Sequence, residues 1–280
     1  KDVQDTVVEY MMTQDKSFTG VVDKGDESEQ AISNKSGQWL RQQIAEQCVP
    51  SGDKYGFARI AKLGHIAGVT AEPTKSTIVT MVYDAATYMD EHLVPENGRV
   101  LFVRAKDYPK IILSDEWHGL DSLAGKQLPT GTVGQIAGFT VVKVPSNMFP
   151  TDVYMVAAQE SALAFPYRIN DTKIHQDPPG ISGALIEGRQ TYDLFVLASK
   201  ADAVVVIGKD GSKQECTVAI ASHSATVTAA GADEIWYTLD GSDPRFSANR
   251  KTVANAGTVA TKAGETIRVV AFGKGGKLTS

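Results

Sequence analysis

The sequence is poor in cysteine, with only Cys48 and Cys216 among its 280 residues. Two cysteines so far apart provide neither the disulfide framework of a small secreted domain nor the paired spacing of a zinc site. Long apolar runs are also missing, and none approaches the roughly 18 residues that a membrane-spanning helix needs. We therefore predict a globular chain of a reducing compartment, with no membrane contact.

An excess of positive charge is lacking too, since the formal net charge is -5. This balance excludes the broadly basic surface that nucleic-acid-binding proteins use to neutralise phosphates. The charge is unevenly spread: residues 217–280 hold 7 Lys/Arg against 5 Asp/Glu, which leaves 21 against 28 in residues 1–216. With 42% hydrophobic residues the chain can bury an ordinary core. The charge difference predicts two domains with different surfaces.

Signatures of catalysis are absent as well. There is no G-x-S-x-G elbow and no H-E-x-x-H motif, and the five histidines are scattered. The segment GLDSLAGK at residues 119–126 resembles a phosphate loop, but it has five residues between its glycines and Gln127 in place of Ser or Thr. We predict that the chain is not an enzyme and has no catalytic residue, no cofactor and no metal site.

The first half of the chain contains loosely alternating and then helical patterns. Residues 1–25 read as two extended segments joined by a charged turn at Gln14-Asp15-Lys16. An apolar stripe then predicts a long helix over residues 26–49, which Pro50 should end, followed by a shorter helix within residues 52–68. Trp39 lies beside that stripe, and a contact within the chain and a contact with a neighbouring subunit are equally open for it.

The middle of the chain predicts an α+β core. A helix from Ile78 to Leu93 precedes a buried strand RVLFV at residues 99–103 and a short helix at residues 108–113. Residues 132–144 form a hairpin around Ala137-Gly138, and two prolines bracket the loop that follows. Further strands are predicted at residues 153–158, 161–169, 194–197 and 203–207.

Beyond a linker at residues 209–216 the composition changes to Ala, Thr, Ser and Val. Five short strand patterns in residues 217–280 predict a small all-β sandwich. Its sharpest turn, which we predict to be exposed on the surface of this domain, is Asp240, Gly241, Ser242, Asp243 and Pro244. We expect the Asp side chains to cap backbone amides rather than bind calcium. Trp236 and Tyr237 are consecutive on a strand, so one belongs in the core, although a sugar-stacking platform stays open.

The order of these segments resembles the major capsid protein of tailed bacteriophages, with the Hong Kong phage-type fold that encapsulin shells share. QDKSFTGVVDKGD at residues 14–26 resembles the returning part of that family's extended loop, and residues 27–49 resemble its spine helix. In PSGDKYGFARIAKLG, residues 50–64, Asp53 and Tyr55 match a family pattern, whereas Ser51-Gly52 replace its usual acidic pair. No residues match the N-terminal arm that precedes the loop in the family.

Two later blocks extend the resemblance to roughly three quarters of the chain. NGRVLFV and GQIAGFTVVKVPSNMFP, residues 97–103 and 134–150, resemble the axial-domain core. Residues 164–197 are similar to the closing strands, including the pairs Gly188-Arg189 and Tyr192-Asp193. Separately, IWYTLDGSDPRFS, residues 235–247, looks like the immunoglobulin-like domain at the C-terminus of chitobiase and β-hexosaminidase, an accessory that carries none of their catalysis.

The resemblance implies a shell domain at residues 1–208, with an extended loop (1–25), a spine helix (26–49) and a mainly axial part (about 74–200). An immunoglobulin-like surface domain follows at residues 217–280. The chain would assemble into hexamers and pentamers of itself in a virion that encloses DNA without sequence-specific binding, formed in the host cytoplasm, with portal or decoration proteins as further partners. The candidate inter-subunit contacts are Asp15, Lys16, Asp23, Lys24, Trp39 and Leu40. The candidate loop near the symmetry axis is Pro145, Ser146, Asn147, Met148, Phe149 and Pro150.

Two other functions remain open from sequence. A carbohydrate-binding module or a fragment of a carbohydrate-active enzyme would use the C-terminal domain to contact glycans, and an enzyme would need two carboxylates about 5 to 10 Å apart in a cleft. An encapsulin-like compartment would share the shell but enclose a different content. Particle size in solution distinguishes the carbohydrate-binding alternative from a shell, because a shell forms megadalton particles and a module stays a monomer or dimer.

Overall fold

The computed structural model describes residues 10–23, 36–114, 132–209 and 214–273. The chain divides into two compact units: the first contains residues 1–56 and 164–195, and the second contains residues 57–163 and 196–280. Helices and strands are mixed, as the sequence predicts. Within the described residues, no helix is both long and apolar enough to cross a membrane.

The first unit contains a three-stranded antiparallel sheet. Its strands are β1 (Gln14–Asp23), β8 (Tyr167–Gln176) and β9 (Gly183–Tyr192), in the order β1-β9-β8. The predicted turn at residues 14–16 is wrong, because these residues begin a continuous strand that pairs with β9 from Gln14 opposite Tyr192 to Asp23 opposite Gly183. A long-range partner, invisible in the local pattern, keeps this polar segment extended.

The long helix differs from its prediction at Pro50. Helix α1 (Ser36–Gln43) passes through a π-helical turn (Ile44–Cys48) directly into α2 (Val49–Leu63). The N–H of Val49 donates to the carbonyl of Ile44, five residues back, so the helix is widened just before Pro50. Proline is tolerated in the first turn of a helical segment, where its missing N–H needs no partner. The predicted residues 26–35 lie outside the described part of the chain.

The second unit is built on a six-stranded sheet in the order β2-β11-β6-β3-β5-β4. Its strands are β2 (His65–Val69), β3 (Arg99–Arg104), β4 (Thr132–Ile136), β5 (Phe139–Val144), β6 (Val153–Gln159) and β11 (Val204–Lys209). Helices α3 (Ile78–Glu91) and α4 (Tyr108–Ile112) contribute to the buried cluster on this sheet, which includes Ile78, Met89, Leu101 and Phe139. These elements match the predicted α+β core.

One predicted strand in this region is wrong. Residues 161–169 are not continuous: a 3-10 turn (Glu160–Ala162) and the two-residue strand β7 (Leu163–Ala164) precede β8, and β10 (Phe195–Val196) is equally short. Pro166 lies between β7 and β8 and has no N–H to donate to a sheet ladder. Apolar content alone therefore overestimates the length of the strand.

The C-terminal residues form two three-stranded antiparallel sheets, as predicted. One has the order β12-β13-β16, from β12 (Thr217–Ala221), β13 (Ser224–Thr228) and β16 (Gly257–Ala260). The other has the order β15-β14-β17, from β14 (Ala232–Thr238), β15 (Lys251–Thr252) and β17 (Arg268–Gly273). Val227, Ile235, Val259 and Ala271 form their common core. We call this part the C-terminal sandwich.

The hairpin of β4 and β5 allows a test of backbone strain. Ala137 and Gly138 both have positive φ, 48° and 79°, which suits the two-residue turn that the sequence predicts. A Cβ atom at Gly138 would meet nothing within 4 Å, so Gly138→Ala should cost about 1 kcal/mol of unfolding free energy through its backbone alone.

The matched control is Gly37→Ala in α1, where a Cβ atom also meets nothing within 4 Å. Helical alanine is favoured over glycine, so this variant should gain about 0.5–1 kcal/mol. Chemical unfolding of both variants measures the difference. Equal effects of the same sign would show that the turn does not have this geometry.

Candidate assembly surface and the anchor of strand β1

Strand β1 packs closely against β9 and α1 because a glycine, which has no side chain, lies at each contact. The Phe18 ring covers Gly188 of β9, and the Trp39 ring of α1 covers Gly20 of β1, so that a Cβ atom at either glycine would overlap the ring. Trp39 thus packs on β1 of its own chain, and a contact of Trp39 with a neighbouring subunit remains a prediction. Position 188, in the predicted Gly188-Arg189 pair, needs a glycine because any side chain there would overlap the Phe18 ring.

The start of β1 is attached through a buried carboxylate. Asp193 is fully buried and follows directly after β9. Its Oδ2 accepts hydrogen bonds from the N–H and the hydroxyl of Thr13 at 3.0 and 2.8 Å, and its Oδ1 accepts from the Tyr55 hydroxyl at 2.8 Å and from the N–H of Leu194 at 2.7 Å. We call these four residues the β1 anchor.

The electrostatics of the anchor favour the ionised acid. Burial raises the pKa of Asp193, but the hydrogen bonds from Thr13, Tyr55 and Leu194 outweigh it and hold the pKa below its usual value. Four donors on one carboxylate stabilise the charge that burial would otherwise penalise. The anchor joins Tyr55 and Asp193, two matches to the capsid pattern that are far apart in sequence.

Aromatic rings support the anchor from one side. Tyr192 is fully buried, and its ring centroid lies 5.5 Å from those of both Tyr55 and Tyr167. The Tyr167 hydroxyl donates to Gln190 Oε1 at 2.8 Å. Burial, followed by the nearby charges of Cys48, Tyr192 and Asp53, raises the pKa of Tyr167 to about 12. The Tyr167 phenol is therefore held in its neutral form.

Two of the predicted inter-subunit contacts have partners within this chain. The Asp15 carboxylate accepts hydrogen bonds from the guanidinium of Arg189, directly across from it on β9, and these bonds lower the pKa of Asp15. Lys16 Nζ lies 3.4 Å from the Ser51 hydroxyl and 5.6 Å from the centre of the Tyr192 ring. Asp15 and Lys16 thus hold β1 in place.

The other predicted contacts have less structural definition. Asp23 ends β1, and Leu40 lies half-buried on α1. Lys24 lies outside the described residues. The assignment of these three residues to inter-subunit contacts, like that of Asp15, Lys16 and Trp39, remains a prediction.

The first unit displays large apolar side chains to solvent. Of the described residues, those of this unit with substantial exposure are Tyr10, Met11, Met12, Val21, Val49, Phe165 and Ile174. Val21 is 54% exposed on β1, and Met11 is 84% exposed just before that strand. Concentrated exposed apolar residues are typical of surfaces that associate with other proteins.

The candidate axial loop has an exposed tip and a buried base. Pro145 and Asn147 are exposed, whereas Phe149 is buried with its ring 4.7 Å from that of Phe57. The loop borders an open cavity of about 720 Å³ whose charged lining includes Arg104, Lys106 and Glu72. Phe149 therefore fixes the base of the loop, and Pro145 and Asn147 are its most exposed residues.

The turn of the C-terminal sandwich is less exposed than predicted. Of its five residues only Asp240 is exposed, and Pro244 is buried. The predicted capping is confirmed: Asp240 Oδ1 accepts from the N–H of Ser242 at 3.0 Å, and Asp243 Oδ1 accepts from the N–H of Arg245 at 2.9 Å. Hydrogen bonds from the Ser242 hydroxyl, the Asn249 side-chain amide and the N–H of Ser242 lower the pKa of Asp240 to about 2.

The turn is covered because it faces the end of helix α2. Arg245 Nη1 donates to the carbonyls of Leu63 and Gly64 at 3.0 and 3.2 Å, and Arg245 Nη2 is held by Asp243 Oδ2 at 2.7 Å. A guanidinium suits a helix C-terminus, where carbonyls are unsatisfied and the dipole is negative. Lys62 adds an ion pair with Glu234 at 3.0 Å. The periodicity of neither segment shows this contact.

The aromatic pair of β14 does not form a sugar platform. Trp236 is buried, with its ring 4.3 Å from Phe272 and the Arg250 guanidinium 4.2 Å above its face. Tyr237 is half-buried and packs against the sandwich core. Both rings are occupied by intramolecular packing, which removes the support that this pair lent to glycan binding.

Asp193→Asn should destabilise the chain by about 2–3 kcal/mol, because an amide can accept only part of the four hydrogen bonds and leaves buried donors unpaired. The pKa of Asp193 is lower in the folded state, so its contribution is present above the ordinary value of about 4 and is lost as the pH falls through the folded-state pKa. Unfolding curves measured from pH 7 to pH 3 should therefore fall less steeply for the variant. Asp84→Asn, at an exposed position of α3, is the matched control, and an identical pH slope in the wild type and Asp193→Asn would contradict the anchor.

Arg245→Ala should release the C-terminal sandwich from α2. Loss of charge-assisted hydrogen bonds worth about 1.5–3 kcal/mol should raise the rate of tryptic cleavage after Lys209 about ten-fold, because cleavage follows the population of the open form. Arg250→Ala, which removes a cation over Trp236 but no contact with α2, should leave the rate unchanged. Equal rates for the two variants would show that the Arg245 contact does not hold the sandwich.

No protein-family model matches this sequence. No curated protein matches it either. Solved structures do. A structure from Mycobacterium phage Che8 is 22% identical and covers 69% of this chain and 70% of its own, with a TM-score of 0.55. The capsid of the cyanophage P-SCSP1u is 15% identical over 71% and 72% of the two chains, with a TM-score of 0.53.

The third similar structure is a virus-like particle from Pyrococcus furiosus. It is 10% identical, covers 71% of this chain and 77% of its own, and has a TM-score of 0.50. At these identities the likeness is one of fold. The chain has the capsid-shell fold that these phage and virus-like particles share.

Proposed function

We propose that this chain is the structural major capsid protein of a tailed bacteriophage, whose copies assemble into an icosahedral head shell around the DNA genome. The observation that carries the proposal is the fold shared with a phage capsid over about 71% of the chain. The exposed apolar residues of the first unit support it, since a shell subunit must bury such residues against its neighbours. In this function the chain acts by assembly and not by catalysis.

In this proposal residues 1–208 form the shell and residues 217–280 form an outward-facing immunoglobulin-like domain joined by residues 209–216. Contacts between copies are heterologous and close into hexamers and pentamers. The exposed tip of the axial loop, Pro145 and Asn147, lies near the symmetry axis. Portal or decoration proteins are the further partners, and assembly takes place in the host cytoplasm.

The charge balance of the chain fits an enclosed genome. Residues 1–216 carry 21 Lys/Arg against 28 Asp/Glu, and such a lining binds few DNA phosphates. Packaged DNA could then move freely during entry and exit. A strongly basic inner face in the assembled particle would contradict this part of the proposal.

A second candidate is an encapsulin-like compartment, which the likenesses to solved structures do not favour over a phage shell. It shares the shell and differs in its content. The carbohydrate-binding alternative is weaker, because Trp236 and Tyr237 are engaged in the packing of the sandwich.

The full chain, expressed alone, should form particles of megadalton size in light scattering and electron microscopy. Val21→Asp should abolish them, because a charge on this exposed apolar position cannot be buried between copies without a large desolvation cost. The melting temperature of the unassembled chain should stay within a few degrees of wild type. Monomers or dimers of the wild-type chain would contradict the proposed function.

Deletion of the residues after Gly208 is the matched control. The sandwich has its own apolar core, and the six-stranded sheet has a separate one, so particles should persist without the sandwich. Failure of this truncated chain to assemble, with its fold intact by circular dichroism, would assign the sandwich a part in the shell. Particles purified from phage-infected cells should contain double-stranded DNA, whereas a protein cargo would indicate the compartment.

A further inference from the structure

Within the residues that the structure describes, strand β12 is an unprotected edge of the C-terminal sandwich. It lies at one end of the sheet order β12-β13-β16, and all five of its residues, TVAIA, are exposed. Edge strands that remain single in solution usually carry a lysine, a proline or a bulge that prevents pairing. Strand β12 has no charge, no proline and no shift in its register with β13. The other sheet is different, since its edge strand β15 is only two residues long and contains Lys251.

The inward face of β12 is also uncovered. Val218 and Ile220 lie opposite Val227 and Ala225 of β13, and residues opposite each other in a sheet point to the same face. Val227 and Ala225 are fully buried in the sandwich, whereas Val218 is 38% and Ile220 is 65% exposed. The apolar layer of the sandwich therefore extends beyond the part that the second sheet covers.

The hydrogen-bonding groups of β12 are arranged to receive another strand. Ser222 and His223 have positive φ, 45° and 66°, and form a two-residue hairpin turn. The closing pair Ala221 and Ser224 of such a hairpin exchanges hydrogen bonds, and this pattern alternates along the strand. The N–H and C=O groups of Val218 and Ile220 therefore point away from β13, to the open edge.

Strand β12 is complementary to itself in the antiparallel direction. A two-fold axis at Ala219 places Val218 opposite Ile220 of a second copy, so the four apolar side chains cover one another on one face. The same register brings Glu215, just before β12, close to His223 of the second copy, and both are exposed. No like charges oppose each other, which would otherwise reject the pairing.

We propose that β12 pairs with β12 of a second copy of this chain, centred on Ala219, to join two C-terminal sandwiches through one continuous six-stranded sheet. The interface is isologous, because the same strand contributes on both sides. The pairing does not rest on the proposed shell, although a shell would raise the local concentration of the sandwiches and favour it.

A single cysteine tests the register in the full chain. Ala219 faces Ala219 of the second copy as a non-hydrogen-bonded pair, with Cα atoms about 4.5 Å apart, which is within reach of a disulfide. In this register residue 221 lies opposite residue 217 of the second copy. The two residues 221 are therefore four positions, or about 13 Å, apart along the strands, which is too far for a disulfide. Under mild oxidation, Ala219→Cys should give about ten-fold more linked dimer than Ala221→Cys on a non-reducing denaturing gel. The unsubstituted chain measures the background from Cys48 and Cys216.

A second variant tests the edge itself. Ile220→Lys in the Ala219→Cys chain should reduce the dimer to background, because a lysine on the edge blocks pairing. Thr258→Lys on β16, the opposite edge of the same sheet, should leave the yield unchanged. Equal yields from Ala219→Cys and Ala221→Cys, whether high or low, would overturn the proposal, as would a yield that Ile220→Lys does not change. These gels report on the pairing whether or not particles form, so failure of the shell proposal is recognised separately by particle size.

Discussion

A single buried carboxylate attaches the start of strand β1 to the rest of its unit. Asp193 has no solvent contact and needs donors, and Thr13, Tyr55 and Leu194 supply them from the start of β1, from α2 and from the chain after β9. Most of the ten residues of β1 are polar or small, so the strand buries little apolar area of its own. The anchor, the Phe18 contact with Gly188 and the ladder with β9 together replace the core that this segment lacks.

The attachment of the C-terminal sandwich to α2 uses a comparable charged contact. Arg245 offers its guanidinium to the last carbonyls of α2, and Asp243 keeps that guanidinium oriented. The sequence suggests that this domain is a loosely tethered accessory, whereas Arg245 joins it to the C-terminal end of α2. In contrast to this satisfied contact, the edge strand β12 of the sandwich is open, because nothing in the described chain covers the apolar side chains of Val218 and Ile220.

Local patterns predicted most elements because their causes are local. The hairpin at Ala137 and Gly138, helix α3 and the strands of the C-terminal sandwich all follow from periodicity and turn residues. Predictions were wrong where a distant partner or an irregular backbone decides. Pro50 does not end the helix because a π-turn precedes it, and residues 14–16 are not a turn because β9 pairs with them. No local pattern contains this information.

The sequence by itself determined the order of elements, the presence of a C-terminal sandwich and a resemblance to capsid shells, because these depend on hydrophobic periodicity and on motifs in a fixed order. Only the tertiary structure decided which polar residues act together. Tyr55 and Asp193 are 138 positions apart, and a separation of this length does not by itself predict a contact. Their hydrogen bond forms because strand β9 ends next to α2 in the folded chain. Likewise, the sequence makes Asp15 a candidate for contact with a neighbour, and only the folded chain shows that Arg189 on the adjacent strand binds it. Side-chain partners are set by the register of strands, and the register is a property of the folded chain.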